Sequence, residues 1–367
     1  AAAHVLDSGR FSADVRRRAA TLPRMPATAS LPERLLLGPG PSNAHPRVLQ
    51  AMAQPPLGPL APAFLAVLVE ACLVNLLEPG DAIVVGVNGV FGGRMCEIAR
   101  RAGARVERVD AEWGRPLDGD AMIAAIERVR PAVVAFVHAE TSTGVLQPPD
   151  AIAKAANAVG AHVVLDCVTS LAGLPLDLEG WGISAAYSGT QKCLSVPPGL
   201  SPVHFSERAL ERVRARRTPV QSWYLDVTLL SGYYGSERVY HHTAPISAIY
   251  GLAEGLRVVA EEGMEKRAAR HREAATALVA GLGALGFEPL VAAESRLPML
   301  TSAKLPQRVL DAGEAKLRRR LLDEHGIEVG AGLGALAGRI WRIGLMGENA
   351  RIINVEALLF ALRKEFA

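Results

Sequence analysis

Cysteine is scarce in this chain, and what there is has no cross-linking pattern. Cys72, Cys96, Cys167 and Cys193 stand in apolar or strand-end surroundings without Cys-x-x-Cys spacing, so neither a disulfide framework nor a zinc site is indicated. A reducing compartment fits. No apolar run approaches the roughly 20 residues needed to cross a bilayer, so membrane insertion is not expected. An excess of one charge is also missing: the net charge is +3. The arginine runs at 16–18 and 212–217, and Lys316-Leu317-Arg318-Arg319-Arg320, carry no interleaved aromatics. They read as solvated helix faces rather than a nucleic-acid surface. Glycines 86, 89 and 92 follow G-x-x-G-x-x-G spacing rather than G-x-G-x-x-G, which argues against a dinucleotide-binding turn even with Asp110 downstream. There is no internal repeat.

What is present is enough for a large core. With 367 residues, half of them hydrophobic, the chain divides naturally into two domains. Strand-like runs at 82–87, 105–109, 132–138, 162–166 and 184–188 alternate with helical patterns at 91–102, 118–129 and 150–159. Such alternation predicts an α/β fold with a mostly parallel sheet covered on both faces. One long helix is expected over 248–281, with the nearest approach to a linker at 261–285. Beyond it, strands at 296–303, 326–329 and 340–343 and helices at 308–324 and 353–364 describe a smaller C-terminal α+β domain. The expected division is an arm at 1–34, a large domain at 35–260 and a small domain at 261–367.

Chemistry concentrates after two of the predicted strands. Lys192 follows Ser184-Ala185-Ala186-Tyr187 through Ser188-Gly189-Thr190-Gln191 and precedes a Pro-Pro-Gly turn at 197–199. A lysine there is either a solvated surface-loop charge or, among glycine, small hydroxyls and apolar residues, one whose desolvation would lower its pKa and free the amine as an imine-forming nucleophile. Asp166 ends the apolar run His162-Val163-Val164-Leu165, at a parallel-strand tip where open α/β sheets bind ligands. A Schiff-base lysine and an aspartate facing a pyridinium nitrogen are the protein groups that pyridoxal phosphate chemistry requires. Arg342, in the strand-like Trp341-Arg342-Ile343-Gly344, is costly to bury unless paired, and a substrate carboxylate is its natural partner. Adjacent His241 and His242 point different ways and have no third ligand near them, so the expected metal is none.

These residues resemble the class V, fold type I aminotransferases, and within them the alanine–glyoxylate / serine–pyruvate family. The resemblance runs from about Leu35 to near the C-terminus. It is carried by Leu36-Leu37-Gly38-Pro39-Gly40-Pro41-Ser42-Asn43, Leu77-Glu78-Pro79-Gly80-Asp81, Asn88-Gly89-Val90-Phe91-Gly92, Glu140-Thr141-Ser142-Thr143-Gly144-Val145, Tyr240-His241-His242-Thr243 and Arg342-Ile343-Gly344. It implies a pyridoxal 5'-phosphate enzyme moving an amino group from alanine or serine to glyoxylate or pyruvate in a ping-pong cycle, with small amino acids and 2-oxo acids as its partners. By the same resemblance Lys192 and Asp166 are catalytic. Phe91 stacks on the pyridine ring, Thr141 and Gln191 lie beside the cofactor, and Gly40 lies against the substrate. Tyr240 and Thr243 reach into a neighbouring subunit's site and bind its phosphate, so the implied active unit is a homodimer with composite sites. A cysteine desulfurase of the same class is less favoured, because no cysteine sits on an evident nucleophile loop.

The match fails in one place. Between Gly38–Pro41 and Leu77–Asp81 the family carries on the order of 25–30 more residues, including a Gly-rich turn whose backbone N–H groups cradle phosphate. Here a segment is missing between about residues 55 and 70, and Phe64–Leu77 reads as one continuous helix. Loss of the cradle gives an alternative: a catalytically impaired, cofactor-poor member acting as a dimer-forming subunit. The first thirty residues, Ala-rich with Arg16-Arg17-Arg18, weakly resemble a transit peptide and equally a disordered or swapped arm. The chain ends Lys364-Glu365-Phe366-Ala367, without a Ser-Lys-Leu peroxisomal address, and carries no secretory signal. An intracellular protein of the cytoplasm or mitochondrial matrix is expected.

Overall fold

The computed structural model describes residues 34–53 and 71–366. Arg34 onward forms one compact unit. In chain order its strands are β1 (Leu35–Leu37), β2 (Ala82–Val87), β3 (Arg105–Asp110), β4 (Val133–Val137), β5 (Ala139–Glu140), β6 (Val145–Leu146), β7 (His162–Asp166), β8 (Ala185–Tyr187), β9 (Val203–Phe205), β10 (Glu288–Pro289), β11 (Leu300–Lys304), β12 (Ile327–Ala331) and β13 (Ile340–Gly344).

The larger sheet has the order β3-β2-β4-β7-β8-β9, parallel except for the antiparallel edge pair β8 and β9. Every residue of β4 and β7 is buried, which is why both read as unbroken apolar runs. Alternate side chains serve opposite faces. Val85, Ala135 and Val164 pack under the helix Val90–Arg101, while Val84, Val134 and Val163 pack with Met122, Ile126 and Ile152 of the helices Gly119–Val129 and Asp150–Ala158. Burying a Val or Ile side chain contributes about 1.5–3 kcal/mol, so this doubly covered layer is the main stabilising mass. The expected α/β fold with a mostly parallel sheet is what the chain adopts.

The second sheet has the order β1-β12-β13-β11-β10 and a separate core around Trp341, Phe287, Leu358 and Leu362. Its first strand is Leu35–Leu37, which pairs in parallel with Ile327–Val329, so the start of the span expected in the large domain belongs to the smaller sheet. Tertiary pairing across nearly 300 residues leaves no local trace in the sequence.

Two long helices are broken where one was expected. The 248–281 stretch is Ile246–Glu262 and Met264–Ala284, separated by Gly263 at φ +80°, a conformation that L side chains resist. The interval 261–285, expected as a linker, is therefore mostly helix. Likewise 308–324 divides into Gln307–Ala312 and Glu314–His325 at Gly313, φ +83°. The strand expected at 296–303 is confined to Leu300–Lys304, preceded by a 3-10 turn at Ala293–Ser295. Of the helix expected over Phe64–Leu77, Ala71–Leu76 is helical and the part before Ala71 lies outside the described residues.

Candidate functional site

The site forms at the C-terminal ends of β2, β4, β7 and β8, where the parallel strands deliver four successive turns to one edge. A cavity of about 260 Å³ opens there, and Phe91, Thr141, Asp166, Gln191 and Lys192 all line it. The lysine and the carboxylate that the sequence reading pairs are thus on the wall of the same space.

Each is held by its own element. Asp166 closes β7 and is 5% exposed; its Oδ1 accepts from the backbone N–H of Val168 at 2.8 Å and its Oδ2 from the Tyr187 hydroxyl at 2.9 Å. Burial is the main influence and pushes its pKa up to about 6, against the two hydrogen bonds and Lys192, which favour the ionised form. Lys192 is reached from β8 through a turn pinned by Thr190, whose hydroxyl donates to the Pro197 carbonyl at 2.8 Å. Desolvation holds the Lys192 amine below the usual lysine range; Arg342 acts in the same direction, and Asp166 opposes it. Its Nζ donates to the Pro39 carbonyl.

Gly40 stands beside that amine. A Cβ at position 40 would lie 2.5 Å from Lys192 Nζ and push that side chain aside, and φ there is +107°, a conformation that favours glycine. The 38–43 turn is tied to the lysine turn, Ser42 N–H donating to the Gln191 carbonyl at 2.9 Å and Ser42 Oγ to the Lys192 carbonyl at 2.9 Å.

Arg342, on β13, is 7% exposed and lies behind Thr141 rather than on the cavity wall. Its Nε donates to the Ala331 carbonyl at 2.7 Å and one Nη to the Thr141 carbonyl at 3.2 Å. Both partners are neutral, and among the described residues no carboxylate pairs with the guanidinium. Tyr240 and Thr243 are elsewhere. Tyr240 is 67% exposed, and its hydroxyl is 3.2 Å from the Thr243 hydroxyl, away from the cavity. They lie in an aromatic surface patch, with Trp223 stacked on His241 at 4.1 Å and itself 59% exposed.

Three residues at the site were missed in the sequence. Tyr187, the last residue of β8, supplies the hydroxyl on Asp166; its pairing opposite Asp166 in register is a tertiary fact. Glu140 is fully buried, and its carboxylate accepts from Phe91 N–H at 3.2 Å, Ser142 N–H at 3.0 Å and Ser142 Oγ at 2.6 Å, so it fixes both Phe91 and the Thr141 turn. Arg94 lines the cavity and sits over the Phe91 ring, its guanidinium carbon 5.0 Å from the centroid. Its spacing of three from Phe91 on a helix was a readable signal. All four cysteines are buried, and burial pushes the Cys193 thiol up to about 11, so none is an exposed nucleophile.

A desolvated amine, a buried carboxylate able to pair with a protonated ring nitrogen and an aromatic face on one cavity are the donor set that pyridoxal phosphate requires. Comparison with known proteins agrees. Residues 65–345 match the family described as aminotransferase class-V. The (S)-ureidoglycine–glyoxylate transaminase of Bacillus subtilis is 35% identical over 377 aligned positions, covering 90% of each chain, and the alanine–glyoxylate aminotransferase of Drosophila melanogaster is 34% identical, covering 91% of this chain and 92% of that one. The crystal structure of alanine–glyoxylate aminotransferase from Nostoc sp. superposes with a TM-score of 0.90 at 42% identity over the whole of both chains.

This chain belongs to the class V aminotransferases. It is a pyridoxal 5'-phosphate enzyme of fold type I, and its reaction is transamination. The 377 positions aligned with the Bacillus protein exceed the 367 residues present here, so that relative carries residues for which this chain has no counterpart. Residues 54–70, where the sequence reading places the shortening, lie outside the described residues.

Proposed function

We propose that this enzyme transfers the amino group of alanine or serine to glyoxylate or pyruvate in a ping-pong cycle. Glyoxylate is the shared word in the names of the Bacillus and Drosophila relatives, while their donors differ, which favours the acceptor over any one donor. The observation that carries the site assignment is Lys192 and Asp166 lining one cavity.

Lys192 would hold the cofactor and Asp166 its ring nitrogen, with Phe91 against the ring and Thr141 and Gln191 beside it. When bound, pyridoxal phosphate supplies an electron sink for the carbanion that follows loss of the substrate Cα proton. Lys192, whose pKa burial lowers, would take that proton and return it on the reacting face. Asp166, oriented by Val168 N–H and Tyr187, presents its carboxylate in a dry setting where a positive partner holds it ionised. Arg342 is assigned to the substrate carboxylate, and Gly40 to close backbone approach.

Tyr240 and Thr243 are assigned to the partner's site in a homodimer, in keeping with their exposure on this protomer. The division into a large domain to about residue 260 and a small domain beyond it is part of the same proposal, as is residence in the cytoplasm or mitochondrial matrix. Among the described residues no helix is long and apolar enough to cross a membrane. The impaired-subunit alternative draws on the shortened segment alone, and the assembled cavity counts against it.

Purified protein is expected to show a visible absorption band with added cofactor, to lose it on borohydride reduction and to carry the label on Lys192. Initial rates with alanine and glyoxylate should give parallel double-reciprocal lines. A colourless protein that no cofactor reconstitutes would overturn the assignment.

A further inference from the structure

The molecule has a second, larger cavity. It measures about 530 Å³ and shares no lining residue with the first. One wall is the helix Met264–Ala284, which presents Arg272, Ala275, Thr276 and Val279 at spacings of three, four and seven, a single helical stripe. The opposite wall runs from Pro289 through Arg296 to Leu300, Thr301 and Ser302, and Gly144 closes one end.

One feature of its lining is unexplained by folding, and beside it stand two arginines, Arg272 exposed and Arg296 half-buried. Ser302 is 3% exposed and its Oγ has no hydrogen-bond partner among the described residues, an omission that destabilises a folded protein. The space beside it is kept by Gly144, at φ +86°, where a Cβ would come within 3.1 Å of that oxygen. Two arginines also lack acidic partners among the described residues. Arg296 is anchored by its Nε to the Val291 carbonyl at 2.8 Å, which leaves its terminal nitrogens unassigned, and Arg272 makes no ion pair with its guanidinium. Thr276 is not available as a donor, since its hydroxyl is spent on the Arg272 carbonyl at 2.8 Å. Apart from Gly144 and Thr301, the remaining walls are alanine, valine, leucine and proline side chains.

We propose that this cavity is a second binding site, for a small aliphatic monocarboxylate. Two guanidinium groups suit one carboxylate, which they hold by charge-assisted hydrogen bonds, and the apolar walls suit a short alkyl body. The Ser302 hydroxyl gains the partner it lacks. An inorganic anion would use the arginines and leave the apolar walls wet, and a neutral alcohol would do the reverse. Ser302 pairs with Arg342 across β11 and β13, so an occupant rests against the strand next to the one that bears the substrate-carboxylate candidate.

Hexanoate is the probe, titrated into the full-length protein by calorimetry, with hexanol and sulfate as comparisons. Saturable hexanoate binding in the millimolar range is expected, at least about tenfold tighter than either comparison. The double variant Arg272→Gln/Arg296→Gln should weaken it by about tenfold or more, and Ala275→Trp should block it by filling the stripe. Both changes sit at the cavity rim, and an unchanged melting temperature shows that the fold is kept. Arg342→Lys separates the two sites: hexanoate binding should persist in it. The proposal is overturned if hexanoate shows no saturation up to about 20 mM, if sulfate binds as well as hexanoate, if the rim variants bind like wild type, or if Arg342→Lys abolishes binding. None of these outcomes depends on whether Lys192 forms the cofactor link.

Discussion

The cavity wall and the aromatic surface patch make an instructive pair. Lys192, Asp166 and Thr141 are positioned by strands whose other residues form the core, and each is pinned by bonds within its own protomer. Tyr240 and Thr243, assigned to the same chemistry, stand on the surface beside Trp223 and bond mainly to each other. One half of the proposed site is a consequence of folding; in the proposed homodimer the other would become a site only on assembly. A dimeric enzyme so divided ties catalysis to association, because neither half is complete alone.

Removing the covalent anchor tests the folded half most severely. Lys192→Ala should lower kcat by about 10⁴-fold or more while leaving the far-ultraviolet spectrum unchanged, and rapid-quench turnover measures it. Asp166→Asn should cost about 10²–10⁴-fold in kcat with cofactor still bound, seen as a slowed Cα proton exchange. Equal loss from a conservative change at an exposed residue far from the cavity would dissolve the distinction.

Mixing inactive partners addresses the assembled half. Lys192→Ala and Tyr240→Ala/Thr243→Ala, combined and allowed to exchange subunits, should recover about a quarter of wild-type activity, since half the dimers are mixed and each has one intact site. Recovery of nothing would place Tyr240 and Thr243 in their own protomer's function. Arg342→Gln is expected to lower kcat/KM for glyoxylate by about 30- to 1000-fold, chiefly through KM, on loss of a paired carboxylate contact.

The smallest effect concerns pH. Asp166 has its pKa raised to about 6 by burial, from 3.8 in the unfolded chain, so the folded cofactor-free protein binds that proton more tightly than the unfolded one. Its contribution is fully present below about pH 4 and is lost as pH rises through about 6. Thermal unfolding of cofactor-free wild type should therefore decline relative to Asp166→Asn across that window, and a flat difference would show that Asp166 does not carry the linkage.

The large sheet was legible because β2, β4 and β7 are buried on both faces and announce themselves as apolar runs, and the turns after them hold the site. Asp166 was read from the end of β7 and Lys192 from the turn after β8, without tertiary information. The helix breaks at Gly263 and Gly313 were missed because a single glycine interrupts a helical pattern only weakly, and its left-handed conformation appears only in the fold. β1 escaped since its pairing strand lies far along the chain. Tyr187 and Glu140 could not be assigned, as their roles depend on what stands opposite them.

Glu140 carries a consequence of its own. One carboxylate ties the start of the helix at 90–101 to the turn after β5, so the aromatic face and the Thr141 hydroxyl share a single rivet. A change there would loosen both at a distance, and the ring stacked in the cavity would report the injury through its spectrum before any reacting group had been touched.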